Sequence, residues 1–349
     1  MSKTQSSRNL VVIATAGSRK TEGIIEAALG VVDDPVLITT FTNENRRQIL
    51  RRINDHAGSL PPNVTVMTWF SFLLAHGARP YQRALTGEPG RIRGLNFVGE
   101  AGRYIPRTNI DQYYFDRNGD MYRDGVADFV CRVDKESGGA VVSRLEKVFQ
   151  HILIDEVQDL CGYDLEVLDL LFDCHIAVTA VGDPRQHTLS TNRGSKNKKY
   201  RGSGLPIWFA ERSATCEVEE RTENFRCNQA ICDFADSIYP DYPSTRSRLN
   251  KTTRHDGIFE VRPADVLDYY NDHRPVVLRY DRAVDTQGLP AMNIGVAKGS
   301  TFERVLIFPT RPMRQFFAHR DPTKLSAPEK LYVAVTRARH SVAFVIPDA

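Results

Sequence analysis

The sequence predicts an α/β protein built on parallel sheets, and three observations predict it. Residues 10–29 give a β-rich run, a turn of small residues, and then apolar side chains at helical spacing. Residues 36–53 repeat that order, and residues 152–154 form a short apolar run that two acids close. Alternating units of this kind indicate a doubly wound parallel sheet, whose ligand chemistry lies at the carboxyl ends of its strands.

The first turn, ATAGSRKT at residues 14–21, is a candidate phosphate-binding loop. Lys20 would reach the β- and γ-phosphate oxygens, and the Thr21 hydroxyl would bind Mg²⁺. A plain strand-to-helix turn is the competing interpretation. The predicted nucleotide-binding residues here are Ala16, Gly17, Ser18, Arg19, Lys20 and Thr21.

The loop departs from the usual GxxxxGK[ST] pattern, because Ala14 and Arg19 occupy the two glycine positions. Glycine lets the backbone approach a phosphate closely, so Arg19 either strains the loop or adds a cation to it. Since Lys20 and Thr21 remain, we expect nucleotide binding to survive.

The stretch HILIDEVQDL, residues 151–160, is the centre of the predicted chemistry. A carboxylate at the end of a buried strand suits Mg²⁺, and its neighbour suits polarising the water that attacks a phosphate. Asp155 and Glu156 would take these two roles. The alternative is a core strand followed by an ordinary polar turn.

The rest of the first half contains a further strand and an insertion. Val64 to Phe72 is predicted to be a strand that carries Thr68 and aromatic residues at its end. Residues 76–146 break the alternation and indicate an inserted subdomain. Within that subdomain, Asn118-Gly119 is predicted to form a hairpin turn.

A strand at residues 175–182 is followed by Gln186, which could sense a γ-phosphate or simply occupy a turn. From Pro184 to Ala210 the chain contains no acidic residue. This stretch predicts a cationic loop that contacts a phosphate backbone, although a solvated loop explains it nearly as well. Its basic residues are Arg185, Arg193, Lys196, Lys198, Lys199 and Arg201.

Two domains are predicted, over residues 1–203 and 204–349. In the second, Asn224-Phe225-Arg226 precedes an amphipathic helix, and residues 330–346 are predicted to be a helix carrying Thr336-Arg337 that leads into a final strand. The six cysteines show no metal-site spacing and no apolar run approaches 18 residues. These features predict a soluble, cytoplasmic protein with reduced thiols and no membrane segment. The net charge of +3 is compatible with nucleic-acid binding without indicating it.

Taken together, eight segments resemble the motifs of the UvrD/Rep family of superfamily 1 helicases, in the family's order. They are ATAGSRKT, TTFTNENRRQI, TWFSF, ILIDEVQD, AVGDPRQ, NFR, VAKGSTFERVLI and LYVAVTRAR. The resemblance implies two RecA-like P-loop NTPase lobes with parallel sheets, the first lobe carrying a small insertion. It also implies ATP and Mg²⁺ as cofactors and single-stranded DNA as a partner.

The resemblance assigns roles position by position. Asp155 and Thr21 would hold Mg²⁺, and Tyr332 would pack near the nucleotide. Phe41, Thr42, Asn43 and Thr68 correspond to segments that touch single-stranded DNA, to which the loop adds Arg193, Lys196, Lys198 and Lys199 as candidate contacts. The implied catalytic residues are Lys20, Glu156, Gln186 and the two arginine fingers Arg226 and Arg337, which reach across the cleft between the lobes.

Four departures from the family favour an ATPase core over a processive unwinding machine. The chain is about half the length of full-size members, the large insertion of the second lobe is absent, and HTLSTNRG after GDPRQ has no base-stacking aromatic residue. Thr301 also replaces a common acidic residue.

Three functions follow for this chain. The leading one is a DNA-stimulated ATPase that translocates on or senses single-stranded DNA, with a partner protein in a repair or anti-phage defence complex. The second is a nucleotide switch that recruits a nuclease or other effector. The third is a structural subunit without catalysis, against which both acids and both arginine fingers argue.

Overall fold

The computed structural model describes residues 9–102, 104–188, 191–192 and 194–347. They form two units, the first within residues 1–13, 20–184 and 189–219 and the second within 14–19, 185–188 and 220–349. The sequence analysis divided the chain between 203 and 204, whereas the main division between the units falls between 219 and 220. Each unit has its own parallel sheet, which confirms the predicted α/β class.

The first unit is organised around a six-stranded sheet. The first eight strands of the chain are β1 Asn9–Ala14, β2 Val36–Thr40, β3 Val64–Thr68, β4 Leu95–Asn96, β5 Met121–Tyr122, β6 His151–Ile154, β7 Ala177–Gly182 and β8 Cys216–Arg221. The sheet order is β3-β2-β6-β7-β1-β8, and its first five strands in that order are parallel neighbours. Their carboxyl ends therefore meet at one edge, which we call the carboxyl edge.

In the described residues of this unit, ten α-helices follow these strands or lie between them. They are α1 Lys20–Leu29, α2 Asn43–Ala57, α3 Trp69–Phe72, α4 Arg79–Tyr81, α5 Arg83–Thr86, α6 Ile110–Tyr114, α7 Val126–Glu136, α8 Ala140–Val148, α9 Asp164–Phe172 and α10 Leu205–Ala210, with a π-helix at Leu73–Ala78 between α3 and α4. Local signals fix the ends of α2, because Thr42 caps its start and Gly58 ends it in a left-handed conformation.

The predicted strand from Val64 to Phe72 is wrong in its second half. β3 ends at Thr68, and Trp69–Phe72 is helical. The Thr68 hydroxyl accepts a hydrogen bond from the Ser71 N–H at 3.3 Å, so it caps the helix and outweighs the strand preference of the aromatic residues.

The predicted hairpin turn at Asn118-Gly119 is confirmed. The Gly119 N–H donates to the Asp116 carbonyl at 3.1 Å, and Phe115 bridges Met121 in antiparallel fashion. Gly119 has a φ of 83°, which glycine adopts without strain. The turn places Tyr122 beside the short strand β4.

The second unit is built on a five-stranded parallel sheet of order β11-β15-β14-β12-β13. The strands and helices from residue 223 onward are β9 Glu223–Asn224, α11 Gln229–Asp236, β10 Arg246–Ser247, β11 Gly257–Val261, α12 Val266–His273, β12 Val276–Arg279, β13 Ala291–Asn293, β14 Phe302–Phe308, α13 Arg311–His319, α14 Pro328–Val335 and β15 Ala338–Val345. Helix α14 ends before Thr336, so Arg337 lies between helix and strand rather than on the predicted helix.

Across the described part of the chain, no helix has the length and apolar character that crossing a bilayer requires.

Candidate functional site

The carboxyl edge of the first sheet brings Thr21 and Asp155 together. Lys20 and Thr21 open α1, and Asp155 directly follows β6. The Thr21 hydroxyl donates to Asp155 Oδ2 at 3.1 Å. Burial and the Glu156 carboxylate raise the pKa of Asp155, against the opposing effects of the Lys20 cation and the Thr21 hydrogen bond. These four side chains therefore form one electrostatically interacting group.

The same edge holds buried polar atoms that lack partners within the described residues. Asp155 Oδ1 and the hydroxyls of Thr39 and Thr40 are buried and make no hydrogen bond. Each such atom costs about 1–3 kcal/mol of desolvation that no contact returns, and native proteins keep few of them. Thr39 and Thr40 are consecutive residues of β2, so their side chains lie on opposite faces of the sheet. Asp155 accepts the Thr21 hydroxyl through Oδ2, so Oδ1 is the atom at which a cation could complete the arrangement.

Glu156 is held in an orientation suited to a base. It has a φ of 60°, in the left-handed region that non-glycine residues enter at a cost of about 1–3 kcal/mol. The Gln158 side-chain amide donates to Glu156 Oε2, and its Oε1 accepts the Asp183 N–H at 3.1 Å. Gln158 thus aims the Glu156 carboxylate.

The sequence analysis did not identify the supporting role of Gln158, although the glycine at position 182 could have indicated it. A Cβ at Gly182 would lie 2.3 Å from Gln158 Oε1, so only glycine leaves room for the Gln158 amide. The glycine at the end of β7, next to the strand that carries the two acids, could therefore have indicated that a polar side chain is packed against it.

The loop segment 14–19 belongs to the second unit, where Tyr332 holds it. The Tyr332 hydroxyl accepts the Ala16 N–H at 3.3 Å and lies 3.3 Å from Thr15 Oγ1. The Ser18 hydroxyl is buried and has no hydrogen-bond partner in the part of the chain that the structure describes. The loop is thus fixed at its start and keeps a polar atom for a ligand.

Gly17 is the position in this loop where glycine is required. Its φ is 73°, and a Cβ there would lie 2.6 Å from Asn224 Oδ1 and 2.8 Å from Arg226 Cβ. Asn224 Oδ1 accepts the Arg226 and Cys227 N–H groups, so it cannot move away freely. Asn224 is a second residue whose supporting role the sequence analysis did not identify.

Arg19 has the strained backbone that was one of the two alternatives for its position. Its φ of 61° places it in the left-handed region, where an L-residue is strained by about 1–2 kcal/mol. Its guanidinium lies 4.2 Å from the centroid of the Phe225 ring, a cation–π contact that offsets part of this cost. Arg19 therefore replaces the usual glycine by packing its side chain away from the loop backbone.

Arg337, one of the two predicted arginine fingers, is buried and makes several hydrogen bonds. Its side chain is 2% exposed and donates to Gln186 Oε1 at 2.9 Å, to the Val333 carbonyl at 3.1 Å and to Thr336 Oγ1 at 3.3 Å. Arg226 donates to the Thr336 carbonyl at 3.1 Å. The second unit thus links the two predicted fingers through Thr336 and joins one of them to the predicted γ-phosphate sensor.

The predicted DNA contacts follow the ends of two neighbouring strands. Thr40 of β2 pairs with Thr68 of β3, and Phe41, Thr42 and Asn43 directly follow Thr40. Thr42 and Thr68 also cap helices, so each has a structural role as well.

The predicted basic contacts are partly engaged in ion pairs. Lys196 Nζ lies 3.2 Å from Glu166 Oε1, and Lys199 Nζ lies 3.9 Å from Glu211 Oε1. Lys198 is exposed at the start of a 3₁₀ turn, and Arg193 lies outside the described residues. Because exposed pairs contribute little stability, a phosphate backbone can displace them at low cost.

A parallel α/β fold with a phosphate loop and a strand-terminal carboxylate defines the class of P-loop nucleotide-binding proteins. Within this class, residues 100–200 match the model of the UvrD/REP helicase N-terminal domain. The matched segment contains ILIDEVQD and AVGDPRQ, two of the eight motifs that resemble the same family. No match was found among the curated proteins that were searched.

Solved helicases share the fold. The crystal structure of arterivirus nonstructural protein 10 (helicase) aligns with a TM-score of 0.50 and 17% identity, covering 97% of this chain and 59% of that one. The complex of that protein with DNA aligns with a TM-score of 0.51 and 17% identity, covering 98% and 61%. This chain therefore spans about three-fifths of the length of those helicases.

Proposed function

We propose that this protein is an ATP-dependent DNA helicase or translocase of UvrD type, which hydrolyses ATP with Mg²⁺ while bound to single-stranded DNA. The observation that carries the proposal is the arrangement of Thr21, Asp155 and Glu156 at one sheet edge, with Gln158 aiming the base. The bonded pair of Arg337 and Gln186 in the second unit adds to it.

The chemistry of the donor atoms fits Mg²⁺. Thr21 Oγ1 and Asp155 would hold the ion, since both offer hard oxygen ligands and Asp155 Oδ1 makes no hydrogen bond to any described residue. When bound, Mg²⁺ would neutralise charge on the β- and γ-phosphate oxygens. No cluster of three or more His, Cys, Asp or Glu residues that could hold a metal occurs in the described ranges, and an ion that substrate phosphates also hold needs none.

Glu156 acts as the base in this proposal. It accepts a proton as the water oxygen attacks the γ-phosphorus, and the bond to the β–γ bridging oxygen breaks to leave ADP and phosphate. Gln158 keeps the carboxylate aimed during this step, while Lys20 stabilises negative charge on the leaving phosphate oxygens. Orientation of this kind accelerates the reaction because it is in place before the reaction begins.

Arg226 and Arg337 supply positive charge to the γ-phosphate in the transition state, a role that arginines fill in related phosphoryl transfers. Gln186 accepts the Arg337 hydrogen bond through Oε1, so its Nε2 amide is the group that would donate to a γ-phosphate oxygen. Gln186 would then connect the γ-phosphate to Arg337, which provides a physical route by which phosphate loss alters the second unit.

Single-stranded DNA is proposed to contact Phe41, Thr42, Asn43 and Thr68, with Arg193, Lys196, Lys198 and Lys199 on the phosphate backbone. Stacking on Phe41 combined with backbone contacts suits tracking along a strand without base preference. Phe41 has the aromatic neighbour Phe70, whose ring centroid lies 5.9 Å away and supports it.

The deciding experiment measures ATP hydrolysis by the purified protein with and without single-stranded DNA. Strong stimulation is expected, with loss of turnover in Glu156→Gln, which keeps the hydrogen bond to Gln158 but removes the base. A wild-type protein that hydrolyses ATP no faster with DNA, or a Glu156→Gln variant that keeps turnover, would contradict the proposal.

A nucleotide switch that recruits a nuclease or other effector is the alternative, and Arg19 favours it. Its side chain packs on Phe225 at the position where glycine normally lets the backbone approach phosphate. Tight ATP binding with no hydrolysis in the same experiment would support this function. Membership of a DNA-repair or antiviral defence complex would then be tested by co-purification with a nuclease partner.

A further inference from the structure

Asp236 lies in the second unit, outside the residues to which the proposed hydrolysis assigns a role. It is the last residue of α11, and its side chain is 16% exposed. The negative end of the helix dipole disfavours a carboxylate at this position. The stability of α11 by itself therefore gives no reason for an acid here, and the reason has to lie in the contacts that the carboxylate makes.

Both carboxylate oxygens of Asp236 accept hydrogen bonds from Thr245. Oδ2 accepts the Thr245 N–H at 2.6 Å, and Oδ1 accepts the Thr245 hydroxyl at 2.7 Å. The Thr245 carbonyl accepts the Gln229 side-chain amide at 2.9 Å, so residues at the two ends of α11 hold the backbone of Thr245. That backbone is thus fixed by bonds that do not involve the Thr245 hydroxyl.

The Thr245 hydroxyl begins a chain of three hydroxyl groups that leads to the phosphate loop. Thr245 Oγ1 lies 3.2 Å from Thr15 Oγ1, which in turn lies 3.3 Å from the Tyr332 hydroxyl oxygen. The Tyr332 hydroxyl accepts the Ala16 N–H at 3.3 Å. All three hydroxyl side chains are buried. The chain therefore connects a carboxylate on α11 to a backbone N–H of the loop.

The charge on Asp236 sets the direction of each hydrogen bond in this chain, because a hydroxyl has one proton and a carboxylate only accepts. The Thr245 proton points at Asp236, so Thr245 Oγ1 accepts from Thr15. The Thr15 proton is then used, so the Tyr332 hydroxyl donates to Thr15. The lone pairs of the Tyr332 oxygen are left for the Ala16 N–H.

The same carboxylate pairs with Arg185, which precedes the predicted γ-phosphate sensor Gln186. Arg185 Nη1 lies 3.9 Å from Asp236 Oδ1, and the Arg185 side chain is 4% exposed. Its guanidinium also lies 5.0 Å from the centroid of the Tyr332 ring. A buried cation needs a paired anion, because its lost hydration is otherwise not compensated. Asp236 is therefore connected both to the start of the phosphate loop and to the residue beside Gln186.

We propose that Asp236 is a positioning residue for the phosphate loop. Its carboxylate orients the three hydroxyls so that the Ala16 N–H has an acceptor, and it holds Arg185 next to Gln186. The inference rests on the proposed function for its ligand, since a loop that is already held in one arrangement loses less entropy when it binds a nucleotide. Asp236 acts through these residues and touches neither phosphate nor metal.

The test variants remove either the charge or one hydroxyl of the chain. Asp236→Asn keeps the shape of the side chain but places an amide N–H where an acceptor was, so one of the two bonds from Thr245 is lost. Thr245→Val removes the hydroxyl and leaves the backbone bonds of this residue in place. Thr245→Ser is the conservative variant that keeps the hydroxyl.

Two measurements are made on the full chain. Hydrogen–deuterium exchange, read by mass spectrometry in peptides that cover residues 14–19, reports opening of the loop without any ligand. Calorimetric titration with ADP and Mg²⁺ reports nucleotide affinity. Asp236→Asn and Thr245→Val should each exchange about threefold to tenfold faster in residues 14–19, the value of one hydrogen bond, and bind ADP more weakly by a similar factor. Thr245→Ser should match the wild type.

Thr286→Val is the control that separates positioning from a general loss of stability. Thr286 is buried in the same unit, and its hydroxyl donates to the Leu289 carbonyl at 3.0 Å. The variant should lower Tm about as much as Thr245→Val does, with wild-type loop exchange and ADP affinity. Asp241→Asn, which removes an exposed acid between α11 and Thr245, is the control for charge and should also match the wild type.

Wild-type exchange of residues 14–19 in both Asp236→Asn and Thr245→Val would overturn the proposal, and so would equal acceleration in Thr286→Val. If Asp236→Asn does not fold, the comparison of Thr245→Val with Thr245→Ser decides the question. A wild-type protein that binds no ADP would defeat the proposed function, whereas the exchange measurement would still decide whether Asp236 positions the loop.

Discussion

The carboxyl edge of the first sheet and the surroundings of Arg337 in the second unit treat buried polar atoms in opposite ways. At the edge, Asp155 Oδ1 and the hydroxyls of Thr39 and Thr40 are buried without hydrogen bonds to the described residues. Around Arg337, the guanidinium donates to Gln186, Val333 and Thr336 although it is equally buried.

This difference indicates that the two regions respond to ligand differently. An edge with unsatisfied atoms gains hydrogen bonds when a ligand arrives, because those atoms have already lost their water. A satisfied network must exchange one partner for another, so it changes its internal bonding on ligand binding. In the proposed function, the first region binds the nucleotide and the second responds to the bound phosphate.

The largest expected effect comes from removing the Arg337 side chain, which is the centre of the hydrogen-bond network in the second unit. Arg337→Ala should lower kcat for ATP by about 10³-fold, as loss of an arginine finger does, with a much smaller effect on ATP binding. Steady-state kinetics and nucleotide titration measure the two quantities separately.

The control for this variant is Arg339→Ala, which removes an exposed arginine whose Nε lies 3.6 Å from Glu303 Oε1. It should keep the wild-type kcat. A folded Arg337→Ala protein with nearly full kcat would show that the network has no part in turnover.

A second prediction separates the effect of burying a carboxyl group from the effect of leaving it without a hydrogen-bond partner. Asp164 is buried like Asp155, but its Oδ1 accepts the Trp69 indole N–H at 2.6 Å, whereas Asp155 Oδ1 makes no hydrogen bond to the described residues. Burial nevertheless raises the pKa of Asp164 to about 6 from 3.8. The native state therefore holds this proton more tightly, and the free energy of unfolding falls as pH rises from about 4 to 6.

Asp164→Asn should remove that dependence and raise the free energy of unfolding at pH 7 by about 1–3 kcal/mol. Denaturant unfolding at pH 4, 5, 6 and 7 gives the comparison. Asp169→Asn on the same helix breaks a 2.8 Å ion pair with Arg212 and should lower stability instead. If the free energy of unfolding of Asp164→Asn changed with pH in parallel with that of the wild type, the raised pKa of Asp164 would not be the cause of the pH dependence.

The smallest predicted effect is on stability, and it compares one buried hydroxyl from each of the two regions. Thr39→Val replaces a buried hydroxyl that has no partner among the described residues, and should stabilise the ligand-free protein by about 1 kcal/mol. Thr336→Val removes a hydroxyl that donates to the Tyr332 carbonyl at 2.7 Å, and should destabilise it by about the same amount. Chemical denaturation measures the free energy of unfolding of both variants. If both variants shifted it in the same direction, the proposed difference between the two regions would be wrong.

The parts of the fold and site that depend on neighbouring residues were predictable from the sequence. The strand, loop and helix around Lys20 and the acids after β6 follow from local spacing, and the structure has them at the expected places. Gln158 was not predictable, because its role depends on Asp183, which lies 25 residues further along the chain.

The error and the omission had different physical origins, one local and one long-range. The strand predicted to Phe72 stops at Thr68 because a capping hydroxyl outweighs aromatic strand propensity. A cavity that Tyr113, Tyr122 and Tyr163 line together could not be predicted at all, since these residues lie far apart in sequence and share the cavity only through tertiary packing. The periodicity of apolar residues predicts helices and strands, but it does not predict which side chains from distant segments line the same cavity.

The left-handed backbone of Glu156 has a consequence for how this protein can evolve. Glycine would relax that backbone by about 1–2 kcal/mol, and one base change converts a glutamate codon to a glycine codon. Selection for thermal robustness alone would therefore favour a protein that has lost its base. A mutant library screened only for stability should accumulate Glu156→Gly, whereas one screened for turnover should exclude it.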